Sequence, residues 1–357
     1  MGYFVFNKKD NFAEQFNNVL NRRNKSKTQT MTINSKAIKF LSVIVLVLGL
    51  TSCSSDDDNA ESNTIVDVAI ANGLTSLATA LEVTNLVTTL QGDGPFTVFA
   101  PDNAAFDALL EATAIDLNNM SAAELATVTN ILLNHVIIGE TISAADLTAG
   151  VAGYKKTAAV GPNSTNLSLF FAAVSEVVLN GQSTVTAADK VASNGVLHIV
   201  NTVIALPTIA TFATTNPALS SLVSALQLAD TGSPTVPYIA TVSDVTAGPF
   251  TVFAPTNTAF ANLLLELDPT GNTTLGGLEP ALVDSILVYH IVSTNVTSAQ
   301  LPNGEVTTLG GPITANNTAF NLTDVNGRVS NIVTTLVDIQ AVNGVVHVLD
   351  KVLLPLQ

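Results

Sequence analysis

The chain has 357 residues, of which 47% are hydrophobic, enough to build cores for two domains of ordinary size. It carries 13 lysines and arginines against 28 acidic residues, and eight of those 13 bases lie in residues 1–52. Residues 53–357 therefore hold five bases and 26 acids, a net charge of −21. Such a body cannot neutralise a run of phosphates, so the composition argues against nucleic-acid binding and against adsorption to anionic lipid.

Residues 31–52 have the layout of a secretory signal peptide. Lys36 and Lys39 precede an apolar run from Phe40 to Leu50, and small residues follow as far as Cys53, the chain's single cysteine. The run is shorter than the roughly 20 residues that span a bilayer. A buried core helix is the alternative, which the lysine flank and the terminal cysteine disfavour.

The residues on either side of this segment predict a misassigned start before it and a lipid anchor after it. Residues 1–30 are mixed, polar and basic, so we expect translation to begin at Met31. The segment's end resembles a bacterial lipobox, which implies acylation of Cys53 and permanent membrane attachment; a free thiol is the alternative. The acidic residues 53–63 predict a flexible tether. This acidic run also resembles the surface-export signal of Bacteroidetes lipoproteins, although a plain solvated linker explains it equally well.

From Thr64 onward, apolar spacing and turn residues predict alternating helices and strands. Helical spacing covers Ile65–Ala69 and then Leu74–Leu90, and a short buried strand at Phe96–Phe99 lies between two prolines. The elements expected next are a helix capped by Asp102 or Asn103, a helix opened by the Ser121–Glu124 capping box and ending at Leu133, a strand at Val136–Ile138, and hairpins over 151–205.

Two sequence blocks of this region return in the second half of the chain. GPFTVFAPDNAAF at Gly94 is echoed by GPFTVFAPTNTAF at Gly248, and NGVLHIV at Asn194 by NGVVHVL at Asn343. The offsets of 154 and 149 residues match one ordinary domain. We therefore predict two copies of one domain, the first repeat at 64–207 and the second repeat at 208–357, in a fixed or hinged tandem.

The second repeat shows the same predicted order of elements. We expect a helix over Leu219–Leu226, a strand at Thr251–Phe253, a helix from Asn257, a helix over Pro280–Val288, and strands and turns from Val306 to Pro355.

These repeated blocks resemble the fasciclin, or FAS1, family. FTVFAPDNAAF and FTVFAPTNTAF are similar to its first signature, the NGV(L/V)H blocks to its second, and the histidine segments around His135 and His290 to its central motif. The resemblance implies an α+β fold in which two tandem FAS1 domains are each a β-wedge or sandwich flanked by several short helices. It also implies cell adhesion or matrix attachment, with proteins or polysaccharides as ligands.

The central motif differs between the repeats. The tyrosine–histidine pair that the family associates with partner contact is present as Tyr289-His290, whereas the first repeat has Asn134-His135. If the pair contacts a partner, the resemblance makes Tyr289 and His290 the candidate residues.

All four histidines of the chain, His135, His198, His290 and His347, lie in the repeated motifs. Metal binding would suit paired histidines, but no metal-ligand spacing accompanies them. Catalysis would need a nucleophile and an orienting acid, and no nucleophile motif is present. Their apolar neighbours favour a third interpretation, a structural histidine hydrogen-bonded to backbone or aspartate. We therefore expect no catalytic residue, no metal and no cofactor.

The sequence supports a leading hypothesis and two alternatives. The leading one is a non-catalytic lipoprotein, anchored through Cys53 in the outer membrane and facing the cell surface, that attaches to another protein or a polysaccharide. The second is a periplasm-facing module that captures a glycan or small ligand, although the absence of tryptophan supplies few rings for sugar stacking. The third, a hydrolase, depends on the histidines alone.

Overall fold

A computed structural model describes residues 63–150 and 152–356. These belong to one compact unit, residues 59–357. The predicted signal segment, the start at Met31, the lipid-bearing Cys53 and the tether up to residue 62 lie outside the described residues.

The first repeat combines short helices with a seven-stranded sheet. Its helices are α1 Ile65–Ala71, α2 Thr75–Val83, α3 Val87–Leu90, α4 Asn103–Thr113, α5 Ala122–Leu133 and α6 Ala144–Ala149. Its strands are β1 Phe96–Pro101, β2 Val136–Ile138, β3 Ala152–Val160, β4 Asn166–Ala173, β5 Val177–Leu179, β6 Ser183–Ala192 and β7 Gly195–Val200. The sheet order is β2-β1-β7-β6-β5-β4-β3, with β1 and β7 parallel.

The second repeat divides the corresponding strands between two four-stranded sheets. Its helices are α7 Ile209–Thr215, α8 Ser220–Asp230, α9 Tyr238–Ser243, α10 Asn257–Leu267 and α11 Pro280–Val288. Its strands are β8 Phe250–Pro255, β9 Ile291–Val292, β10 Gly304–Thr308, β11 Gly311–Asn316, β12 Asn321–Thr323, β13 Val329–Asn331, β14 Ile339–Ala341 and β15 Gly344–Leu349. The sheets run β14-β15-β8-β9 and β10-β11-β12-β13, and β8 and β15 are parallel.

Local sequence signals fix most helix boundaries. The predicted capping box at Ser121 and Glu124 begins α5, and Asp102 caps α4 by accepting from Ala105 N–H at 2.8 Å. The continuous helical spacing predicted over Leu74–Leu90 is instead broken into α2 and α3, because Asn85 adopts a left-handed conformation with φ of 57°. Asparagine tolerates this region better than most residues, so the turn falls there.

The recurring Asn-Gly turn before the last strand has a steric cause. A Cβ atom added to Gly195 or to Gly344 would lie 2.1 Å from the carbonyl oxygen of Phe96 or of Phe250. Both glycines also have φ in the positive region, at 159° and 152°. The parallel pairing of the first and last strands of each repeat therefore requires glycine at the turn.

Each repeat buries its apolar side chains in two clusters. In the first repeat, one cluster joins the helices to β1 and the other packs around Phe99 and Leu179. In the second repeat, one cluster includes Phe260 and Leu287 and the other Phe253 and Leu322. The predicted mixed architecture of sheets flanked by short helices is thereby confirmed.

The two repeats share a packed contact surface, here called the seam, between the β3–β4 face of the first repeat and β14 with α7 of the second. The Tyr154 ring packs at a tilt against Phe170, 5.0 Å away between ring centroids, and edge-on against Phe212 at 5.6 Å. Phe170 is buried in the second repeat's own cluster. The seam is thus an extension of a hydrophobic core, which favours a fixed tandem over a hinged one.

Polar groups complete the seam. Gln340 N–H donates to Ser168 Oγ at 2.9 Å, and both residues are buried. Lys156 donates to Ser168 Oγ at 3.0 Å and to the backbone carbonyl of Asp338. Although Lys156 as a whole is exposed, desolvation of its ammonium at the seam lowers its pKa to about 8, and the neighbouring Asp338 carboxylate opposes the shift. Buried polar atoms that find partners in this way specify one relative orientation of the repeats.

Candidate functional site

The central histidines of the two repeats make identical bridges between a helix and a distant loop. His135 Nδ1 lies 2.8 Å from the carbonyl oxygen of Ile131, and its Nε2 accepts from Ile204 N–H at 2.8 Å. His290 Nδ1 lies 2.8 Å from the carbonyl oxygen of Ile286, and its Nε2 accepts from Leu353 N–H at 3.0 Å. Since Nε2 accepts, the proton resides on Nδ1 and each ring is neutral.

The histidines of the last strand make the opposite bridge. Nδ1 of His198 accepts from Asp189 N–H at 3.2 Å, and Nε2 lies 2.9 Å from the carbonyl oxygen of Ile142. His347 repeats this contact with Asp338 N–H at 3.3 Å and, at 2.9 Å, the Val296 carbonyl. Here the proton resides on Nε2, so each repeat holds both neutral tautomers.

Electrostatics agrees with neutral rings. Burial lowers the pKa of His135 and of His290 to about 4, against a hydrogen bond that opposes the shift. Burial likewise lowers the pKa of His198 and of His347. With both nitrogens of every ring engaged by backbone, these bridges have no lone pair to offer a metal ion or a substrate proton.

The Tyr289-His290 pair, the candidate for contact with a partner, lies beneath the surface of the second repeat. Tyr289 is 1% exposed and His290 2% exposed. The Tyr289 hydroxyl donates to the Pro312 carbonyl at 2.6 Å and accepts from Val325 N–H at 3.3 Å. The pair therefore joins α11 to the second sheet of its repeat, and a protein ligand cannot reach it in this fold.

Asn134 takes the same place in the first repeat with different partners. Its amide nitrogen donates to the carbonyls of Ile204 and Ala205 at 3.2 and 3.0 Å, and its oxygen accepts from Thr157 Oγ1 at 3.2 Å. The position before the histidine is thus a buried linker in both repeats, filled by an amide in one and a phenol in the other.

Sequence reasoning missed what the repeated asparagines do. Asn103 was expected as an alternative cap of α4, but Asp102 is the cap, and the Asn103 amide instead bridges Ser76 N–H and the Gly73 carbonyl at 3.0 and 2.9 Å. Asn257 makes the same bridge from α10 to Ser221 N–H at 2.8 Å. The exact recurrence of Asn in both copies was the available signal, since a mere cap tolerates Ser, Thr or Asp.

The comparisons with known proteins match this doubled architecture. The family model described as the fasciclin domain matches the chain twice, at residues 72–207 and 217–355. The chain belongs to the fasciclin domain family. The predicted FAS1 resemblance, and the fold of two tandem FAS1 domains, are thereby confirmed.

Individual relatives of this fasciclin-domain chain differ in coverage. It is 39% identical over 152 residues to protein sll1483 of Synechocystis sp., spanning 42% of this chain and 73% of that protein. It is 29% identical over 147 residues to the cell surface glycolipoprotein MPB83 of Mycobacterium bovis, spanning 41% of this chain and 60% of that protein. A solved FAS1 domain pair from the insect cell adhesion molecule fasciclin I matches with a TM-score of 0.43 and 18% identity, over 81% of this chain and 95% of that one.

Two open clefts lie on the surface of the FAS1 domains. One, of about 600 Å³, runs along the turn at the end of β6 in the first repeat and includes Thr64, Asp93 and Val191 in its lining. The other, of about 620 Å³, lies beside β10 in the second repeat and includes Ser293 and Glu305. Neither lining contains an aromatic residue, so a ligand there would be held by hydrogen bonds and aliphatic contacts.

The described residues hold neither a cluster of metal ligands nor a helix of membrane-spanning length. Across 63–150 and 152–356, no three His, Cys, Asp or Glu side chains are grouped so that they could hold a metal ion. Within those same ranges, none of the helices has the length and apolarity needed to cross a bilayer.

Proposed function

We propose that this protein is a surface-anchored attachment protein, held to the outer membrane through an acylated Cys53, whose FAS1 domains bind another protein or a polysaccharide without catalysis. The observation that carries the proposal is that the motif histidines are already fully hydrogen-bonded within the fold. Their ring nitrogens are engaged by backbone in both repeats, so these motifs serve the scaffold and recognition falls to the exposed surface.

Three further features support this proposal. Fasciclin-family membership implies adhesion or matrix attachment, and one relative bears the name cell surface glycolipoprotein. The lipobox resemblance at Cys53 supplies the anchor. The packed seam presents the two FAS1 domains as one rigid body, and a binding surface on a rigid body loses little conformational entropy when it binds.

The first test places the domains on one side of the membrane. Intact cells are treated with a protease and probed for the 64–357 region by immunoblot, with lysed cells as the control. We expect the signal to be lost from intact cells. Protection on intact cells with digestion after lysis would rule out direct adhesion.

A deletion strain tests attachment itself. We expect reduced attachment to surfaces or to other cells, restored by the wild-type gene and not by a Cys53→Ser copy that lacks the anchor. Normal attachment of the deletion strain on every surface tested would overturn the adhesion proposal.

The second candidate function is periplasmic capture of a glycan or small ligand, favoured by the two clefts of about 600 and 620 Å³. Volumes of this size lie within the range of small-molecule sites. Isothermal titration with a panel of oligosaccharides tests capture, which requires affinity for a small ligand, and the absence of binding across the panel would exclude it.

A further inference from the structure

The second repeat uses one edge of its sheet to hold the first repeat. This edge is β14 and its surroundings, where Gln340 N–H donates to Ser168 Oγ at 2.9 Å and the Asn295 carbonyl accepts from Asn163 Nδ2 at 3.0 Å. Gln340 is only 1% exposed as a result. In this protein, therefore, the β14 edge of a FAS1 domain is already a protein-docking surface.

The first repeat has an equivalent edge at the C-terminal part of β6, beyond the residues Ser183 and Thr184 that pair with β5, and solvent takes the place of a domain there. Counted from the two Asn-Gly turns, Val191 occupies the position of Gln340, and Val191 is 75% exposed. The cleft of about 600 Å³ runs beside it. We call this surface the docking edge and define it by Thr141, Val191, Ala192 and Ser193, which all line the cleft.

The path of the chain supports this equivalence. In the second repeat, Val342 N–H donates to the carbonyl of Pro207 at 2.9 Å, where the chain arrives from the first repeat. In the first repeat, Ser193 N–H donates to the carbonyl of Asn63 at 2.8 Å in the same manner. The two edges thus share this backbone contact with the incoming chain, and a domain covers only the edge of the second repeat.

The covered edge shows what chemistry an occupant presents. The β3–β4 face of the first repeat offers a pair of aromatic rings, Tyr154 and Phe170, beside the Ser168 hydroxyl that reaches the edge. The Ser168 hydroxyl accepts from the backbone N–H of Gln340, and valine has the same backbone donor, so a hydroxyl at this position also suits the docking edge.

A second copy of this chain supplies such a face poorly. In the second repeat, β10 and β11 correspond to β3 and β4. Glu305 lies opposite Thr314 in that pair, at the positions that Tyr154 and Phe170 occupy in the first repeat. The exposed face of the second repeat therefore lacks the aromatic pair, while the aromatic face of the first repeat is already buried in its own seam. A polar outer face is how tandem repeats commonly end an array.

We propose that the docking edge binds a FAS1 domain of a different protein, one that presents aromatic side chains at the positions of Tyr154 and Phe170. The contact would continue the tandem outward from the first repeat, as the second repeat continues it in the other direction. This proposal depends on the attachment function only for its biological setting. Its binding experiment uses purified protein and no adhesion assay, so either proposal can fail without the other.

The binding experiment uses a face known to fit such an edge. The probe is residues 59–207 carrying Val191→Asp, which uncovers Tyr154 and Phe170 and disables the probe's own docking edge. Both hydrophobic clusters of this repeat have their buried members within 65–204, so it has a core of its own. Binding to the full chain is measured by biolayer interferometry.

We expect saturable binding of the probe, weakened at least about tenfold when the full chain carries Val191→Asp. The matched control is Val174→Asp in the full chain, since Val174 is 93% exposed and lies outside the docking edge. No binding up to about 1 mM, or binding that Val191→Asp leaves unchanged, would overturn the proposal. Self-association of the full chain that Val191→Asp abolishes would also overturn it, because the partner would then be a second copy.

A second measurement does not depend on the fragment's folding. A photo-crosslinking residue is placed at position 191 of the full chain in cells, and the crosslinked peptide is identified by mass spectrometry. We expect the peptide to come from the sheet of another FAS1 protein. A peptide from any other class of protein, or a crosslink to this chain itself, would contradict the assignment.

Discussion

The two repeats keep the same internal bridges and differ at the strand that precedes the last turn. In the first repeat, β6 runs unbroken from Ser183 to Ala192, whereas the second repeat divides the equivalent chain into β13 and β14. Asp189 and Asp338 nevertheless share a left-handed conformation, with φ of 56° and 55°, and each donates its N–H to the histidine of the last strand. The bridge fixes the backbone around that aspartate, while the outer edge is free to differ.

That difference teaches where to look for function in a duplicated domain. Histidine bridges, Asn-Gly turns and bridging asparagines recur because the fold needs them. The edge changes from Gln340 in the covered copy to Val191 in the open one. Substitutions at shared positions should therefore change stability equally in the two repeats, and substitutions at the edges should act differently in each.

The largest effect is expected from the turn glycine. Gly344→Ala would place a Cβ atom 2.1 Å from the Phe250 carbonyl oxygen, which forces apart the parallel strands β8 and β15. We expect a loss of about 4 kcal/mol or more in the free energy of unfolding, measured by urea denaturation. Gly195→Ala should match it in the first repeat. Gly276→Ala, where a Cβ has open space, is the control.

The bridging histidines come next. His135→Ala leaves the Ile131 carbonyl and the Ile204 N–H without their ring partner in the core. We expect a loss of about 3 kcal/mol, and a similar loss for His290→Ala. Unchanged unfolding free energy in either variant would contradict a structural role for the ring.

Lowering the pH should reveal the contribution of the same two histidines to the free energy of unfolding without any mutation. Each has a pKa of about 4 in the folded state against 6.5 for an ordinary histidine, so the unfolded chain binds more protons between these values. Stability is therefore fully present above pH 6.5 and decreases as the pH falls to 4, by about 3 kcal/mol for each ring. Urea titrations at pH 7.0 and 4.5 measure it. A shallower profile in His135→Ala/His290→Ala protein, with the remaining slope due to His198 and His347, would assign the difference to these two rings. A flat profile in wild-type protein would refute the assignment.

Local signals were enough to predict much of this fold, but not the seam. Proline boundaries located β1, and Pro280–Val288 was predicted with the bounds that the structure shows, because a cap or a breaker acts on its neighbours in sequence. The contact of Ser168 with Gln340 spans 172 residues and has no local signature. The burial of Tyr289 could not be predicted from the sequence either, because a tyrosine next to a histidine occurs both on surfaces and in cores.

The second repeat's side of the seam can be tested by exchanging Gln340 with the residue of the docking edge, because the Gln340 side chain holds Asn295 and Gly344 of its own repeat. Gln340→Val removes an amide that donates to Asn295 Oδ1 and to the Gly344 carbonyl, both at 2.9 Å. Because these acceptors are buried, we expect a loss of about 2 kcal/mol and faster hydrogen exchange in β4 and β14. Val191→Gln on the exposed edge should change stability by less than about 0.5 kcal/mol. Equal changes in the free energy of unfolding for Gln340→Val and Val191→Gln would contradict the difference in burial between the two edges.

A smaller loss than that of Gln340→Val is expected from Tyr289→Phe, and this variant separates a scaffold role from partner contact. The change removes one hydroxyl that joins the Pro312 carbonyl and Val325 N–H, and it keeps the ring that packs among Phe253 and Leu353. Because Pro312 and Val325 lie near solvent, water can replace part of this bridge, so we expect a loss of about 1 kcal/mol.

Attachment of cells carrying Tyr289→Phe should remain at the wild-type level, because a side chain that is 1% exposed cannot contribute contact area to a partner. Asn134→Ala in the first repeat is the matched variant, and it should cost more stability because two of its three hydrogen bonds, to the Ile204 carbonyl and from Thr157, are buried. Loss of attachment in Tyr289→Phe cells at unchanged stability would show that the second repeat opens to expose this pair, and the buried-linker interpretation would then be wrong.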